Sequence, residues 1–236
     1  MNLLKGQKIF KLDLLGGRLV ELRECLAARD PHLLARNTGA AFQAISGESG
    51  VFQLEFWGQP VAITFPALEV READTGVLLA DFSQAMLLYY LSNCDGTPVA
   101  GKWIAFSELP DGRFYNSAFQ GYTGRELACS FSDDLGHFSR TAEILGGERV
   151  YLFGDAAYKF QALPLVSLLV VAWLGDADFP TNYQILFDAN VSHHLPTDAC
   201  AVLGSTLTRR LIRAIEQPPH PQSPSPIRDE RIRDGG

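Results

Sequence analysis

The stretch from Gly146 to Asp188 constrains this chain more than any other. It holds an apolar run, Leu163 to Leu174, bracketed by two Gly-Asp pairs, Gly154-Asp155 and Gly175-Asp176. Pro164 and Ser167 interrupt the run. It is far shorter than the roughly 20 residues a helix needs to cross a bilayer. It therefore reads as a buried strand between two turns in which an aspartate bonds its own backbone. Ala177-Asp178-Phe179-Pro180 follows and reads as a helix start, with Asp178 as cap and proline in the first turn.

The rest of the chain alternates helix and strand signals. Residues 14–36 have leucines at helical spacing, with Asp30-Pro31 starting a second helix and Gly39 ending it. From Val51 the period shortens to that of strands, with a turn at Trp57-Gly58-Gln59-Pro60 and a short strand at Leu68-Glu69-Val70. Ala80-Asp81-Phe82 opens a helix that runs to Leu91. The segment Gly101–Phe119 reads as a hairpin around Pro110-Asp111-Gly112. Helices are expected at 123–130 and 133–145. In the last helix Leu195, Ala199, Leu203, Leu207, Leu211 and Ile215 stand four apart, and Arg209, Arg210 and Arg213 face elsewhere. Residues 218–236 are Pro-rich, then charge-mixed, and are expected to be disordered.

Phe56-Trp57-Gly58 is echoed by Leu152-Phe153-Gly154, and Ala80-Asp81-Phe82 by Ala177-Asp178-Phe179. Two related strand-turn-strand-helix halves, around 51–95 and 148–195, would explain this, as would chance matching of short motifs. Either way the pattern predicts an α+β domain over residues 1–217, with antiparallel strands and helices packed on one side.

Charge and cysteine usage exclude several classes. The net charge is −7 with no block of Lys and Arg, so no nucleic-acid partner is expected. The four cysteines, Cys25, Cys94, Cys129 and Cys200, form no Cys-x-x-Cys pair. No iron–sulfur cluster, zinc ribbon or redox pair is expected from that spacing. Met1 to Phe10 lacks an apolar signal core, which points to a cytoplasmic protein with no membrane partner.

Several motifs occur in order: Trp103-Ile104-Ala105-Phe106-Ser107-Glu108-Leu109-Pro110, Leu145-Gly146-Gly147, Gly154-Asp155-Ala156, Leu163-Pro164, Asp176-Ala177-Asp178-Phe179-Pro180 and Leu186-Phe187-Asp188. Over roughly residues 20–215 they resemble a bacterial and archaeal family, domain of unknown function 3786 (DUF3786). Some members carry an added four-cysteine iron–sulfur domain, which this chain's cysteine spacing does not match. The resemblance implies a context of anaerobic cofactor metabolism and supplies no catalytic residues to carry over.

The candidate sites are few. Asp155 follows a strand and stands near Lys159, an arrangement suited to a ligand or to a plain turn. Trp103, Arg113 and Tyr115 flank the expected hairpin, where they would line a pocket mouth or an exposed tip. Asp176, Asp178 and Asp188 with His193 offer oxygen and imidazole donors for a metal, although the spacing matches no calcium loop. No phosphate-binding or nucleophile motif is present. The leading expectation is a non-enzymatic small-molecule or cofactor-binding accessory protein. The alternatives are a metal-dependent enzyme built on the acidic cluster and a protein-interaction module.

Overall fold

The computed structural model describes residues 17–151 and 153–216. The predicted tail, 218–236, lies outside the described residues, as does the start of the first predicted helix. Helix α1 (residues 17–27) buries Leu19, Leu22 and Leu26 on one face. Helix α2 (Pro31–Thr38) begins as its sequence predicts: the Asp30 side chain accepts a hydrogen bond from the His32 N–H at 2.9 Å, and Pro31 occupies the first turn. Gly39, at φ 69°, closes it in the left-handed conformation that glycine adopts without a Cβ clash.

A four-stranded antiparallel sheet follows in chain order: β1 (Ala41–Ser46), β2 (Ser49–Phe56), β3 (Gln59–Phe65) and β4 (Val70–Glu72). The period-2 pattern sends Phe52, Leu54, Val61, Ile63 and Phe65 inward. Each fully buried side chain of this size contributes about 1.5–3 kcal/mol. Helix α3 (Asp81–Asn93) is buried over most of its middle, from Gln84 to Leu88 and again at Tyr90 and Leu91.

The second sheet has five antiparallel strands in the order β5-β9-β8-β7-β6: β5 (Trp103–Ala105), β6 (Glu148–Arg149), β7 (Ala156–Leu163), β8 (Val166–Trp173) and β9 (Asn182–Asp188). The apolar run is its central strand, β8, buried on both faces. Between β5 and β6 lie α4 (Gly112–Gly121), α5 (Gly124–Phe131) and α6 (Leu135–Ile144), and after β9 comes α7 (Thr197–Glu216). These helices share one core with Tyr158, Phe160, Leu168, Val170 and Phe187 of the sheet. The opposite face carries a separate small cluster, Ala157, Leu169 and Val171 under Trp103, Phe153 and Trp173, with no helix residue in it. The α+β architecture, with helices on one side of this sheet, is the one its periodicities predict.

Two local expectations are corrected. The segment Gly101–Phe119 is not a hairpin. Trp103–Ala105 pairs with β9 rather than with residues 113–115, and Arg113 and Tyr115 lie on α4. Glu108 accepts from the Ala105 N–H at 2.7 Å and winds a 3-10 turn, so Pro110-Asp111-Gly112 leads into a helix. Asp178 does not cap a helix: Asp176 accepts from the Asp178 and Phe179 N–H groups at 2.8 and 2.9 Å, and that tight turn feeds strand β9.

The echoed motifs also fall at unlike places. Gly58 sits in the β2–β3 turn and Gly154 ahead of β7; Ala80 precedes a helix and Ala177 lies in a loop. What does recur is a three-stranded meander followed by a helix, β2 to α3 and β7 to α7.

Candidate functional site

The β2–β3 connection is a two-residue loop, Trp57-Gly58, between the paired residues Phe56 and Gln59. Both loop residues have positive φ, 54° and 72°. A hairpin turn with this geometry favours Asn-Gly or Gly-Gly. A tryptophan there carries backbone strain on the order of 1 kcal/mol. The strain is held by packing and by the Trp57 N–H, which donates to the Ala162 carbonyl at 2.9 Å and ties the first sheet to β7. The indole is buried, yet its Nε1–H has no hydrogen-bond partner among the described residues. Leaving such a donor unpaired costs about 1–3 kcal/mol.

Arg210 of α7 lies over this ring, its Cζ 5.4 Å from the ring centroid, within cation–π range. The guanidinium is half-buried, and burial pushes its pKa below the ordinary value. Arginine keeps its charge under such a shift. The ion pairs among the described residues lie elsewhere, and Arg210 makes no side-chain hydrogen bond among them. A strained tryptophan with an idle donor thus stands beside a partly desolvated cation.

Both groups line a cleft of about 750 Å³ between the first sheet, the end of β7 and α7. Its apolar walls include Leu54, Val61, Leu145, Phe160, Leu163 and Leu207. Trp57, Val61 and Arg210 also line a second recess of about 440 Å³, which adds Phe56, Phe82, Arg209 and Arg213. Small-molecule sites have this size and make-up, mostly apolar with a few convergent polar groups.

The residues singled out from sequence lie away from this cleft. Asp155 accepts from the Leu174 N–H at 2.7 Å and fixes the end of the β7–β8 pair. Lys159 pairs with Glu148 at 3.2 Å, on the same sheet face as Trp103. Tyr115 lines a different groove, about 850 Å³, between α4 and the start of α7; Arg113 does not line it. That groove is larger, but it holds no unpartnered buried donor and no cation.

The four metal candidates are not brought together. Asp188 is buried and accepts from three backbone N–H groups, of Ala100 (2.9 Å), Gly101 (2.8 Å) and Asn190 (3.0 Å). Asp176 serves its own turn, and those hydrogen bonds hold its carboxyl below the usual carboxylate range. His193 faces Asp95, Nδ1 to Oδ2 2.8 Å, which holds the Asp95 carboxyl well below that range. Among the described residues no group of three or more His, Cys, Asp or Glu side chains is placed to hold a metal ion.

One buried pair escaped the sequence reading. Cys94 Sγ lies 3.2 Å from His194 Nδ1 and 3.0 Å from the Asn37 carbonyl. Burial pushes the thiol pKa up and the imidazole pKa down, so both are neutral. A nucleophilic cysteine needs the opposite, a thiolate in an electropositive and accessible setting. The pair lines none of the recesses above.

The sequence model of the domain of unknown function DUF3786 matches residues 30–210. The chain belongs to the DUF3786 family. No curated protein and no solved structure matches it. The DUF3786 region takes in Trp57, Arg210 and every other residue lining the cleft at the Trp57 turn. No described helix is long and apolar enough to cross a membrane.

The cleft had two signals in the sequence. Trp57-Gly58 reads as a turn, but a turn seldom spends a tryptophan, and that misfit marks the site. Arg210 sits on the non-leucine side of α7, which by periodicity alone is a solvated face.

Proposed function

We propose that this protein is a small-molecule or cofactor-binding accessory protein whose ligand occupies the cleft at the Trp57 turn. The observation that carries the reading is a largely apolar recess of about 750 Å³ lined by the strained Trp57 turn and by Arg210, whose guanidinium has no carboxylate partner among the described residues. A ligand acceptor would pair with the half-buried guanidinium, and an apolar body would cover the walls. Both changes stabilise the complex relative to the empty protein. The strain at Trp57 fits the same purpose, since strained residues concentrate where geometry is held for a partner. The placement of Asp176, Asp178, Asp188 and His193 lends no support to the metal-dependent reading.

The test uses N-phenyl-1-naphthylamine, a neutral apolar fluorophore, titrated into the full chain. The expected result is saturable binding that quenches tryptophan emission and is abolished by Ala41→Trp. Ala41 is exposed and lines the cleft, so the larger ring fills the recess without entering the core. Absence of binding, or binding indifferent to Ala41→Trp, would overturn the reading.

A further inference from the structure

The two recesses that meet at Trp57 differ in character. The larger is walled mainly by apolar side chains, with Gln53, Glu55 and Gln161 among them, whereas the smaller gathers Arg209, Arg210 and Arg213 on one wall. This concentration of cations stands out in a chain whose net charge is −7. The helix dipole accounts for part of it, since basic residues near a helix C-terminus are favourable and Arg213 lies in the last turn of α7. It does not account for Arg210. That side chain is turned against Trp57 and gives up water without gaining a carboxylate among the described residues. Its Cζ stands over the ring, 5.4 Å from the centroid, and its N–H groups make no hydrogen bond among the described residues, which leaves them free for a planar or tetrahedral oxyanion. Glu72 also lines the smaller recess, but its Oε2 already accepts from Thr75 at 2.6 Å.

We propose that the ligand is an amphipathic anion, with a carboxylate- or phosphate-like group held by Arg210, Arg209 and Arg213, and with its apolar body in the larger cleft. This deepens the proposed function and rests on it. Arg210 and Trp57 stand at the boundary of the two recesses, so a single molecule can meet both. The exposed Arg209 and Arg213 raise the local positive potential and favour entry of the anionic end first.

Two probes with one skeleton separate this inference from the reading beneath it. N-phenyl-1-naphthylamine is neutral. 8-Anilinonaphthalene-1-sulfonate is the same fused-ring amine carrying a sulfonate, which stands in for the anionic group. In the full chain the sulfonate is expected to bind about tenfold more tightly, as a charge-assisted hydrogen bond provides. The double variant R209Q/R213Q, made at exposed positions, is expected to narrow that ratio severalfold, and adding R210Q to bring it near one. Affinity for the neutral probe should hold within about twofold in R209Q/R213Q, whose positions do not line the larger cleft. Raising the salt concentration should weaken the sulfonate and not the neutral probe. Equal affinities in the unaltered protein, or a ratio unmoved by the arginine changes, would overturn the anion proposal while leaving the cleft reading intact. Failure of both probes to bind would remove both. Retained circular dichroism and urea midpoint confirm that the variants fold.

Discussion

Two ring nitrogens lie buried without a partner among the described residues, Trp57 Nε1 and His194 Nε2. Each belongs to a residue that joins distant parts of the chain. Trp57 links the first sheet to β7, and His194 meets Cys94 at the end of α3. Their surroundings differ. Trp57 lines a cleft and stands beside a cation; His194 lines none of the recesses described above. A residue with an unpartnered polar atom marks a site only where it also lines a recess. At His194 the orphan is also the cheaper of two states. If the Cys94 thiol donates to Asn37, the imidazole donates from Nδ1 to sulfur and leaves Nε2 as an idle acceptor, which costs less than an idle donor. Changes at the sealed junction should cost stability and leave binding alone, while changes at the open cleft should do the reverse.

The largest effect is expected at the sealed junction. Asp188→Ala removes an acceptor from three backbone N–H groups and frees the loop before β5. A loss of about 3 kcal/mol is expected, read as a lowered urea midpoint, with unchanged affinity of the folded fraction for N-phenyl-1-naphthylamine. A change in that affinity would break the contrast, because the junction would then be coupled to the cleft.

At the open site, Trp57→Asn should behave unlike an ordinary core truncation. Removing a buried tryptophan costs about 3–5 kcal/mol in most settings. Here asparagine suits the left-handed turn and the idle donor disappears, so about 1–2 kcal/mol is returned. The net loss of stability should be near 2 kcal/mol, whereas probe affinity should fall more than tenfold. A full core-type loss with intact binding would show that the indole only packs.

Acid sensitivity sharpens the other half of the contrast. Burial holds the pKa of His194 below its ordinary 6.5. The unfolded chain therefore takes up this proton more readily than the folded one. Stability from this residue is complete above about 6.5 and declines as pH drops through that value toward the folded pKa. Asp95, His193 and Asp188 face it with opposed influences, and burial outweighs them. The lowered pKa of Asp95 matters only below its ordinary 3.8, outside this window. Urea midpoints should fall from pH 7.5 to 5.5, and His194→Gln should flatten the decline. An unchanged slope would place the acid-sensitive group elsewhere.

The sequence carries the fold more clearly than the site, for physical reasons. Helix caps such as Asp30-Pro31 and the leucine spacing of α7 act within a few residues, so they can be read locally. The β5–β9 pairing joins residues more than eighty apart, and Pro-Asp-Gly serves a helix start as readily as a hairpin. The candidate aspartates drew notice because carboxylates are versatile. In the structure Asp155, Asp176 and Asp188 spend their oxygens on backbone N–H groups, a use that depends on chain geometry. The meeting of Trp57 and Arg210 across the fold leaves no mark in local spacing. The Trp-Gly turn and the fully charged side chain on α7 become informative only once they face each other.

The smallest change in stability, and the cleanest separation of the two regions, is expected at Arg210. Arg210→Met keeps an unbranched stem over the indole and removes the charge. The half-buried guanidinium gives up hydration without an ion-pair partner among the described residues, so its loss should leave the urea midpoint within about 0.5 kcal/mol of the original or slightly above it. Were Arg210 a structural residue, its removal would cost stability and leave the preference for the sulfonate probe unchanged. As a ligand-facing residue it should do the opposite: stability holds, and the preference for the anion over the neutral probe falls. A partly desolvated cation with no ion-pair partner among the described residues is explained if a ligand completes the pair, and this substitution measures that directly.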